Sequence, residues 1–312
     1  MKEHDPVKAL KNDVGITAAL AVRGIKIFLA DKMGVFFSLL APIIILMLYL
    51  LFLGDIQIDA LKAQLEGIPY EEKTVSAIVD GWMIAGVMAV SCITVTFTSQ
   101  NVLVKDRENG TLADFLAAPV KRGAIAASYM IFNIIVSAII CLAVLCLAFI
   151  YLAITGWYLT AADVFAAIGN TLLSIISVSV LATLASLTFI KTEGAHSGFV
   201  GILSAAIGFL IGAYMPVSTF PTAIQYVTLF LPGTYSAGIF RSIFMEGAIA
   251  ELGFEPVREG IREAYSVNID FFGKTIGVDI IAVIFVSVTV LLFAAYAVIQ
   301  IILVKKNKFF NK

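Results

Sequence analysis

Residues 123–162 read GAIAASYMIFNIIVSAIICLAVLCLAFIYLAITGWYLTAA, forty consecutive positions without an aspartate, glutamate, lysine or arginine. A helix needs about 20 apolar residues to cross ~30 Å of hydrocarbon, so this run is long enough to span a membrane. Similar uncharged runs occur at 35–53, 81–104, 164–190, 194–240 and 280–304. Each of the six runs can supply one membrane-spanning helix.

The composition is typical of a membrane protein. The chain is 60% hydrophobic and 14% charged, whereas soluble domains carry about 25% charged residues. Burying the six runs in a soluble core would require far more polar covering sequence than the chain contains. We therefore predict an all-α polytopic membrane protein with a six-span domain over 33–304. The spans are expected at about 34–54, 79–100, 123–153, 164–190, 194–214 and 277–304.

Lysine and arginine indicate the orientation, because they accumulate in short loops on the cytoplasmic side. Six spans place both termini on one side, together with 101–122 and 191–193. That side carries fifteen of the 21 Lys and Arg residues. We therefore expect cytoplasmic termini and a basic cytoplasmic tail over 305–312. Because residues 1–32 are charged and lack a short apolar core before a cleavage site, we expect no signal peptide.

Residues 1–32 also carry a helical pattern. Apolar side chains recur at Leu10, Val14, Ala18, Ala21, Ile25 and Phe28, and basic ones occur mostly elsewhere on the helical wheel at Lys8, Lys11, Arg23 and Lys26. This pattern predicts an amphipathic helix at the cytoplasmic membrane surface. The helix either anchors the first span or docks specifically, and the two roles are compatible.

Prolines interrupt the apolar run that follows the fifth span. Pro216, Pro221 and Pro232 divide it into pieces too short to cross the bilayer, because proline removes an amide donor and disrupts a helix. Within the outer segment 215–274 we therefore predict two short re-entrant helices in the outer leaflet, at 219–231 and 235–245. Complete spans are the alternative, but a seventh span would place the basic tail outside. Residues 246–272, with a helix start at Glu255 and Pro256, are expected to form an outer lid or partner site.

Signatures of catalysis and energy conversion are weak. Gly273, Lys274 and Thr275 match the end of a phosphate-binding loop, but Asn268 stands where its first glycine should be. No paired acidic motif and no Gly-x-Ser-x-Gly motif is present. The three cysteines, Cys92, Cys141 and Cys146, fall within spans and read as small apolar residues. We expect no catalytic, metal-binding or cofactor-binding residue in this chain, and no nucleic-acid partner.

The interiors of the predicted spans hold mild polar groups and no Asp, Glu, Lys or Arg. Ser91, Thr94 and Thr98 share one face of the second span at helical spacing. They either line a translocation path or form hydrogen bonds between packed helices. In the fifth span, small residues recur every four positions at Ser204, Gly208 and Gly212 and form a stripe along one face of the helix. The stripe permits close approach of a helix, either within the chain or across a dimer.

A charged island separates the second and third spans. Residues 107–112 read RENGTL, and Pro119 follows before the third span. This pattern resembles the cytoplasmic coupling region of the type-2 ATP-binding-cassette (ABC) exporter permeases. Pro232, Tyr235 and Arg241 resemble the Pro and Arg segment that precedes the last span in that family, although Leu231 replaces a frequent Asn. The amphipathic helix, the six spans and the re-entrant helices also match the family outline.

The resemblance implies a permease whose power comes from elsewhere. Two permease copies, a homodimer in preference to a heterodimer, would each dock a separate ABC ATPase subunit that binds ATP and Mg. Export of an amphipathic drug, peptide, lipid or lipid-linked glycan across a bacterial cytoplasmic membrane is expected. The implied coupling residues are Arg107, Glu108, Gly110, Thr111, Leu112, Asp114 and Pro119. The implied outer gate consists of Pro221, Pro232, Tyr235 and Arg241.

Two details of the coupling region are expected from the residues themselves. Asn109 or Thr111 can cap a short helix after Gly110, and Leu112 with its apolar neighbours would bury one face of that helix. Arg107, Glu108 and Asp114 would stay available to a partner. The alternatives to a permease are an ion-coupled carrier or channel that needs no ATPase, and a membrane-embedded enzyme.

Overall fold

The computed structural model describes residues 6–305, with side chains described over 13–299. The α-helices, in chain order, are α1 (Pro6–Ala30), α2 (Lys32–Ser38), α3 (Leu40–Leu48), α4 (Gly54–Gln64), α5 (Glu72–Ser99), α6 (Asn101–Glu108), α7 (Thr111–Ala117), α8 (Arg122–Thr155), α9 (Ala161–Thr188), α10 (Glu193–Leu210), α11 (Thr222–Thr228), α12 (Pro232–Ala250), α13 (Glu255–Ala264) and α14 (Val278–Lys305). A π-helical segment covers Tyr49–Leu53, a 3-10 turn covers Val217–Thr219, and strands β1 (Ile269–Phe271) and β2 (Lys274–Ile276) form an antiparallel hairpin. The basic tail predicted after Lys305 and the side chains of Lys8, Leu10 and Lys11 lie outside the described residues.

The prediction of an all-α polytopic membrane protein with six spans is confirmed. Within residues 6–305, six helical stretches are long and apolar enough to cross a membrane: Leu40–Gln64, Glu72–Glu108, Arg122–Thr155, Ala161–Thr188, Glu193–Leu210 and Val278–Ile299. The first of them differs from the expected range of 34–54. The helix restarts at Leu40 and continues through the π-helical segment into α4, so the apolar helix extends further toward Gln64 than hydropathy indicated.

Side-chain caps position several helix starts. The Asp31 carboxylate accepts the backbone N–H of Gly34 and so separates α2 from the amphipathic helix α1. Thr160 and Asp163 form a reciprocal capping box at the start of α9. The Thr192 hydroxyl accepts the Ala195 N–H at the start of α10. These caps place sharp turns between neighbouring spans, as short polar side chains commonly do.

Helix α5 lies at the centre of the bundle. Every residue of its most apolar window is buried, and helices α3, α8, α9, α10 and α12 pack around it. Asp80, which the sequence placed at a span edge, is buried in the bundle and accepts hydrogen bonds from Tyr49 (2.7 Å) and Tyr151 (2.9 Å). The donors come from the π-helical segment and from α8, so one carboxylate connects three elements.

Helix α12 runs antiparallel to α5 and begins deep in the bundle. A side chain at Gly81 would clash with the Phe244 carbonyl, and one at Gly233 would meet Ile93. Gly81 and Ile93 lie twelve residues apart on α5, a rise of ~18 Å. The start of α12 therefore lies deep in the bundle, and its later turns lie beside the Glu72 end of α5. The observed α12 is longer than the predicted 235–245, and its path relative to the bilayer stays a prediction.

The segment after α12 forms a compact element, which comprises α13 and the β1–β2 hairpin. It is called the outer element, after its side in the predicted orientation. The sequence predicted the helix start at Glu255, but not the hairpin. Arg262 connects α13 to the end of α12, because its guanidinium donates to Glu246, Glu255 and Glu259. Tyr265 packs edge-on against Trp82 of α5, with ring centroids 5.9 Å apart.

These contacts predict an acid sensitivity of the outer element. The hydrogen bond from Arg262 lowers the pKa of the Glu255 carboxyl. Glu255 therefore contributes stability above the ordinary glutamate value of ~4.3, and this contribution is lost as the pH falls through the lowered pKa. With Trp157→Phe, Trp82 is the remaining tryptophan of the two in the chain. Its fluorescence should report undocking of Tyr265 on acidification below pH ~4.

Arg262→Met should already loosen the outer element at neutral pH and flatten the acid transition, because the Glu255 partner is gone. Lys274→Met is the matched control, since Lys274 is exposed and lies outside the Arg262 ion pairs. Identical acid titrations of wild type and Arg262→Met would contradict this assignment.

Candidate functional site

The charged island at 101–122 forms a helix, a sharp turn and a second helix. Gly110 adopts φ 81°, in the left-handed region that favours glycine, and this conformation turns the chain from α6 into α7. The cap predicted from Asn109 or Thr111 is wrong, because no side chain accepts a hydrogen bond at the start of α7. The backbone N–H groups of Ala113 and Asp114 instead bond the Gly110 carbonyl.

Helix α7 presents two different faces. Leu112 is buried, and Phe115 and Leu116 are half-buried against the bundle. Asp114 and Pro119 are exposed. Between 109 and 119 the other exposed residues are small: Asn109, Gly110, Ala113, Ala117 and Ala118. The result is a shallow surface along α7 that carries the Asp114 carboxylate and offers little steric obstruction.

Arg107 and Glu108 contact the chain itself, contrary to the expectation that they stay available to a partner. The Arg107 guanidinium donates to the carbonyls of Ser186 (2.9 Å) and Leu187 (3.3 Å) at the end of α9. The Glu108 carboxylate accepts the Glu193 N–H (2.6 Å) at the start of α10. Helix ends leave such carbonyls and N–H groups unpaired, and side chains of matching charge bind there favourably. The two residues therefore connect the segment 101–122, the predicted coupling segment, to the turn between α9 and α10.

Asp106 was not identified from the sequence, yet it joins three elements. It accepts two hydrogen bonds from Arg23 of α1 (2.6 and 2.9 Å) and one from Tyr129 of α8 (2.7 Å). Because the Asp106 carboxylate binds it, the pKa of Arg23 is raised. The Arg23 guanidinium also lies 5.1 Å from the centroid of the Phe115 ring. Little in the sequence indicated this role, because Asp106 lies between Lys105 and Arg107 in the charged half of α6.

A wide lateral groove lies between the first span and α10. Its cavity volume is about 1340 Å³, above the 300–1,000 Å³ usual for drug-sized ligands. The walls come from α2–α4 on one side and α10 on the other, and the ends of α5 and α6 form the back. Most of the lining is apolar, for example Phe37, Ile44 and Phe209. The groove therefore offers an apolar path along the bundle.

The predicted path residues divide into two groups. Thr98 lines the groove. Ser91 and Thr94 are buried away from it and donate to the carbonyls of Val87 and Val90, one turn earlier on their own helix. The Thr94 hydroxyl also lies 3.4 Å from the Ser38 carbonyl of α2, a contact between packed helices. Packing within the chain therefore accounts for these two hydroxyls, and Thr98 is the member of the predicted stripe that faces open space.

The predicted outer-gate residues lie in the α11–α12 region. Pro221 caps α11, Pro232 occupies the first turn of α12, and the Tyr235 hydroxyl donates to the Leu229 carbonyl (2.6 Å). These contacts fold α11 tightly onto the start of α12.

Arg241 is 1% exposed and binds backbone carbonyls. It donates to Ile211 and Gly212 (2.9 Å) at the end of α10 and to Ser266 (3.3 Å) in the outer element. The same side chain lines a cavity of about 340 Å³. Arg241 therefore connects the end of the fifth span to the outer element through α12.

The small-residue stripe of the fifth span packs within the chain. A side chain at Gly208 would clash with the Tyr214 ring, and Gly212 adopts φ 75° in the turn that Arg241 binds. A second set of small residues on α10 is exposed instead: Gly194, Gly198, Gly201 and Ala205. No atom lies within 4 Å of a side chain built at any of the three glycines.

Comparison with protein families gives one match. The family described as ABC-2 type transporter matches residues 17–245, which is most of the chain and extends from α1 into α12. Searches of curated proteins and of solved structures gave no match. The matched residues include the coupling segment, both walls of the groove and the start of the Arg241 helix. The chain therefore belongs to the ABC-2 type transporter family and is a multi-pass membrane permease of an ABC transporter.

Proposed function

We propose that this permease is the transmembrane half of an exporter that is driven by separate ABC ATPase subunits docked at residues 101–122. The observation that carries the proposal is the combination of an exposed α7 surface with two residues, Arg107 and Glu108, that bond the next turn of the chain. A partner that moves α7 would thereby also move the α9–α10 turn. The expected cargo is an amphipathic molecule, and both termini are expected on the cytoplasmic side.

The structure of residues 273–275 supports a separate energy source. Gly273 adopts φ 86° at the tip of the β1–β2 hairpin, and its N–H donates to the Asp270 carboxylate. Phosphate-binding loops instead connect a strand to the start of a helix. The partial phosphate-loop match therefore belongs to a β-turn, and ATP and Mg are expected in the partner subunit.

The proposed path of force runs through short, charged hydrogen bonds. Arg107 donates to carbonyls at the end of α9, and Glu108 accepts the first backbone N–H of α10. Asp106 accepts from Arg23 of α1. Charge-assisted bonds of this kind are roughly twice as strong as neutral ones. Closure of two ATPase subunits would therefore displace α1, α6 and α10 together and change the shape of the groove.

The docking surface predicts that reversing the charge of Asp114 removes the ATPase. Asp114 is exposed and makes no side-chain hydrogen bond or ion pair within the described residues, so Asp114→Arg should leave the fold intact. Pull-down of the tagged permease from native membranes should recover an ABC ATPase subunit with the wild type. Recovery should fall about tenfold or more with Asp114→Arg, since a like-charge contact costs several kcal/mol.

The matched control is Asp55→Arg, which reverses an exposed carboxylate in α4, outside the segment 101–122. It should retain the ATPase and its activity. Equal recovery with wild type and Asp114→Arg would place the docking surface elsewhere. Absence of any ATPase from a well-folded wild-type sample would contradict the proposed function itself.

A second copy of the chain is proposed to pack against α10. Only 17% of the most apolar window of α10 is buried within the chain, although this helix is apolar enough to span a membrane. Gly194, Gly198 and Gly201 leave open space beside the backbone, and small residues let membrane helices approach closely. A homodimer would place two such faces together about a two-fold axis.

The dimer predicts a symmetric cross-link at Gly198. In a variant whose cysteines Cys92, Cys141 and Cys146 are replaced by alanine, Gly198→Cys should form an intermolecular disulfide in native membranes. Gly169→Cys is the matched control, because Gly169 is an exposed glycine with equally open surroundings on α9. Cross-linking of both variants to the same extent would contradict a specific α10 interface.

The outer-gate assignment of Pro221, Pro232, Tyr235 and Arg241 is part of the same proposal. Arg241 bonds the end of α10 and the outer element, so displacement of α10 would reach the re-entrant helices directly. Opening there would release cargo on the outer side, and ATP-dependent uptake into inside-out vesicles would test that direction.

An ion-coupled carrier is the alternative, and Asp80 is the observation that favours it. Carriers and pumps use buried carboxylates to bind the driving ion, and Asp80 is buried between the hydroxyls of Tyr49 and Tyr151. A carrier would transport in proteoliposomes without an ATPase, and Asp80→Asn would abolish that transport.

A further inference from the structure

Arg241 is a buried cation without a counter-charge. The residue is 1% exposed, and within residues 13–299 it forms no ion pair. Of the five N–H groups of a guanidinium, three donate to the carbonyls of Ile211, Gly212 and Ser266. Nε has no partner, and one N–H of Nη1 is also unused. Because an unpaired buried charge is costly, these free donors indicate a site for a negatively charged group.

The free donors lie beside the cavity of about 340 Å³ that Arg241 lines, which we call the Arg241 cavity. Nη2 donates to Ile211 and Gly212, which lie outside the cavity wall. Nη1 donates to Ser266, which belongs to the wall. Nη1 is therefore the end of the guanidinium that a ligand in the cavity can reach. Among the described residues of the wall, Arg241 is the one basic side chain.

Two carboxylates line the same cavity and have bonding capacity to spare. Glu263 is exposed, and its carboxylate has no hydrogen bond or ion pair within the described residues. Asp270 is half-buried, and its carboxylate accepts the N–H of Gly273. A simple anion bound to Arg241 would be repelled by both carboxylates, and a simple cation would be repelled by Arg241. The lining therefore favours a ligand that carries both charges.

We propose that the Arg241 cavity binds a free amino acid. Its carboxylate would accept from Arg241, and its ammonium group, which offers three donors, would lie toward Glu263 and Asp270. A volume of about 340 Å³ is at the lower end of the range of about 300–1,000 Å³ that is usual for ligand sites, which suits a ligand of this size. Glu263, Gly273 and Thr275 are exposed, so the cavity opens to solvent.

The site would connect two parts of the fold. Arg241 belongs to α12, whereas Glu263 and Asp270 belong to α13 and β1 of the outer element. A bound amino acid would therefore hold the outer element against α12 and stabilise the folded chain. No described residue lines both this cavity and the lateral groove, so the site is separate from the groove. It requires neither an ATPase nor a second copy of the chain.

Thermal unfolding of the purified full-length chain in detergent tests the proposal. Each common L-amino acid is added singly at about 5 mM, because a ligand that binds the folded state raises the unfolding midpoint by mass action. At least one should raise the midpoint, and isothermal titration calorimetry then gives its dissociation constant. Two relatives of that amino acid are measured beside it: its amide, which lacks the carboxylate, and the acid that lacks the amino group. Each should bind at least about tenfold more weakly, because each leaves charged groups of the site unpaired.

Variants of the two carboxylates locate the bound amino acid. Glu263→Gln with Asp270→Asn should weaken binding about tenfold, since charge-assisted hydrogen bonds are the stronger ones. Asparagine can still accept the Gly273 N–H, so the hairpin turn should persist. Glu251→Gln is the matched control, because Glu251 is an exposed carboxylate outside the cavity wall, and it should leave binding unchanged. Arg241→Lys keeps the charge but loses the guanidinium geometry, and it should also weaken binding about tenfold.

Three results would overturn the proposal. They are the absence of a midpoint shift with every amino acid, equal binding of the acid that lacks the amino group, and unchanged binding in the carboxylate double variant. The second result would assign an anion site, and the third would place the amino acid elsewhere on the chain. If Arg241→Lys fails to fold, the double variant decides, because both of its altered side chains reach solvent. The assay contains neither ATPase nor nucleotide, so its outcome is independent of the ATPase pull-down.

Discussion

The close packing of α5 and α12 constrains the rest of this permease. Gly81 is so near the Phe244 carbonyl that no side chain fits between the two helices. With neighbours on every side, α5 cannot shift without moving the elements around it. At its other end the chain continues into α6, where Asp106, Arg107 and Glu108 bond α8, α9 and α10. Protein interiors are close-packed, so displacement at one end of such a helix is passed on.

The same helix connects the proposed docking surface to the groove. Asn101 and Thr98 lie two to three turns before the Gly110 turn, on the helical stretch that Arg107 connects to the end of α9 and Glu108 to the start of α10. Movement of α10 relative to the first span would widen or narrow the space between the groove walls. Residues that line the groove and residues proposed to receive force from the ATPase are thus parts of one helical stretch.

The fold was largely predictable because hydropathy and helix breakers act locally. Uncharged runs indicated six spans, and the prolines indicated that the segment after the fifth span is divided into short helices. The helices begin at Thr222 and Pro232, whereas the sequence predicted starts at 219 and 235. The side-chain roles of Asp106, Arg107 and Arg241 were not predictable, because their partners lie about 25 to 85 residues away in sequence. Periodicity carries no information about such contacts. For that reason Arg107 and Glu108 were expected to be free surface charges. Ser91 and Thr94 were candidates for a translocation path, but their hydroxyls donate to carbonyls of their own helix.

The central claim is that Arg107 transmits movement of the coupling segment to the α9–α10 turn. Pulsed electron spin resonance on the proposed dimer with its ATPase subunits tests it, with labels at Ala117→Cys in α7 or at Lys191→Cys in the turn. The account predicts that trapping ATP changes the distance between the two copies at both positions, and that Arg107→Met abolishes the change at Lys191 while preserving the one at Ala117. Movement at Lys191 that persists in Arg107→Met, or none at Lys191 in the wild type, would contradict it.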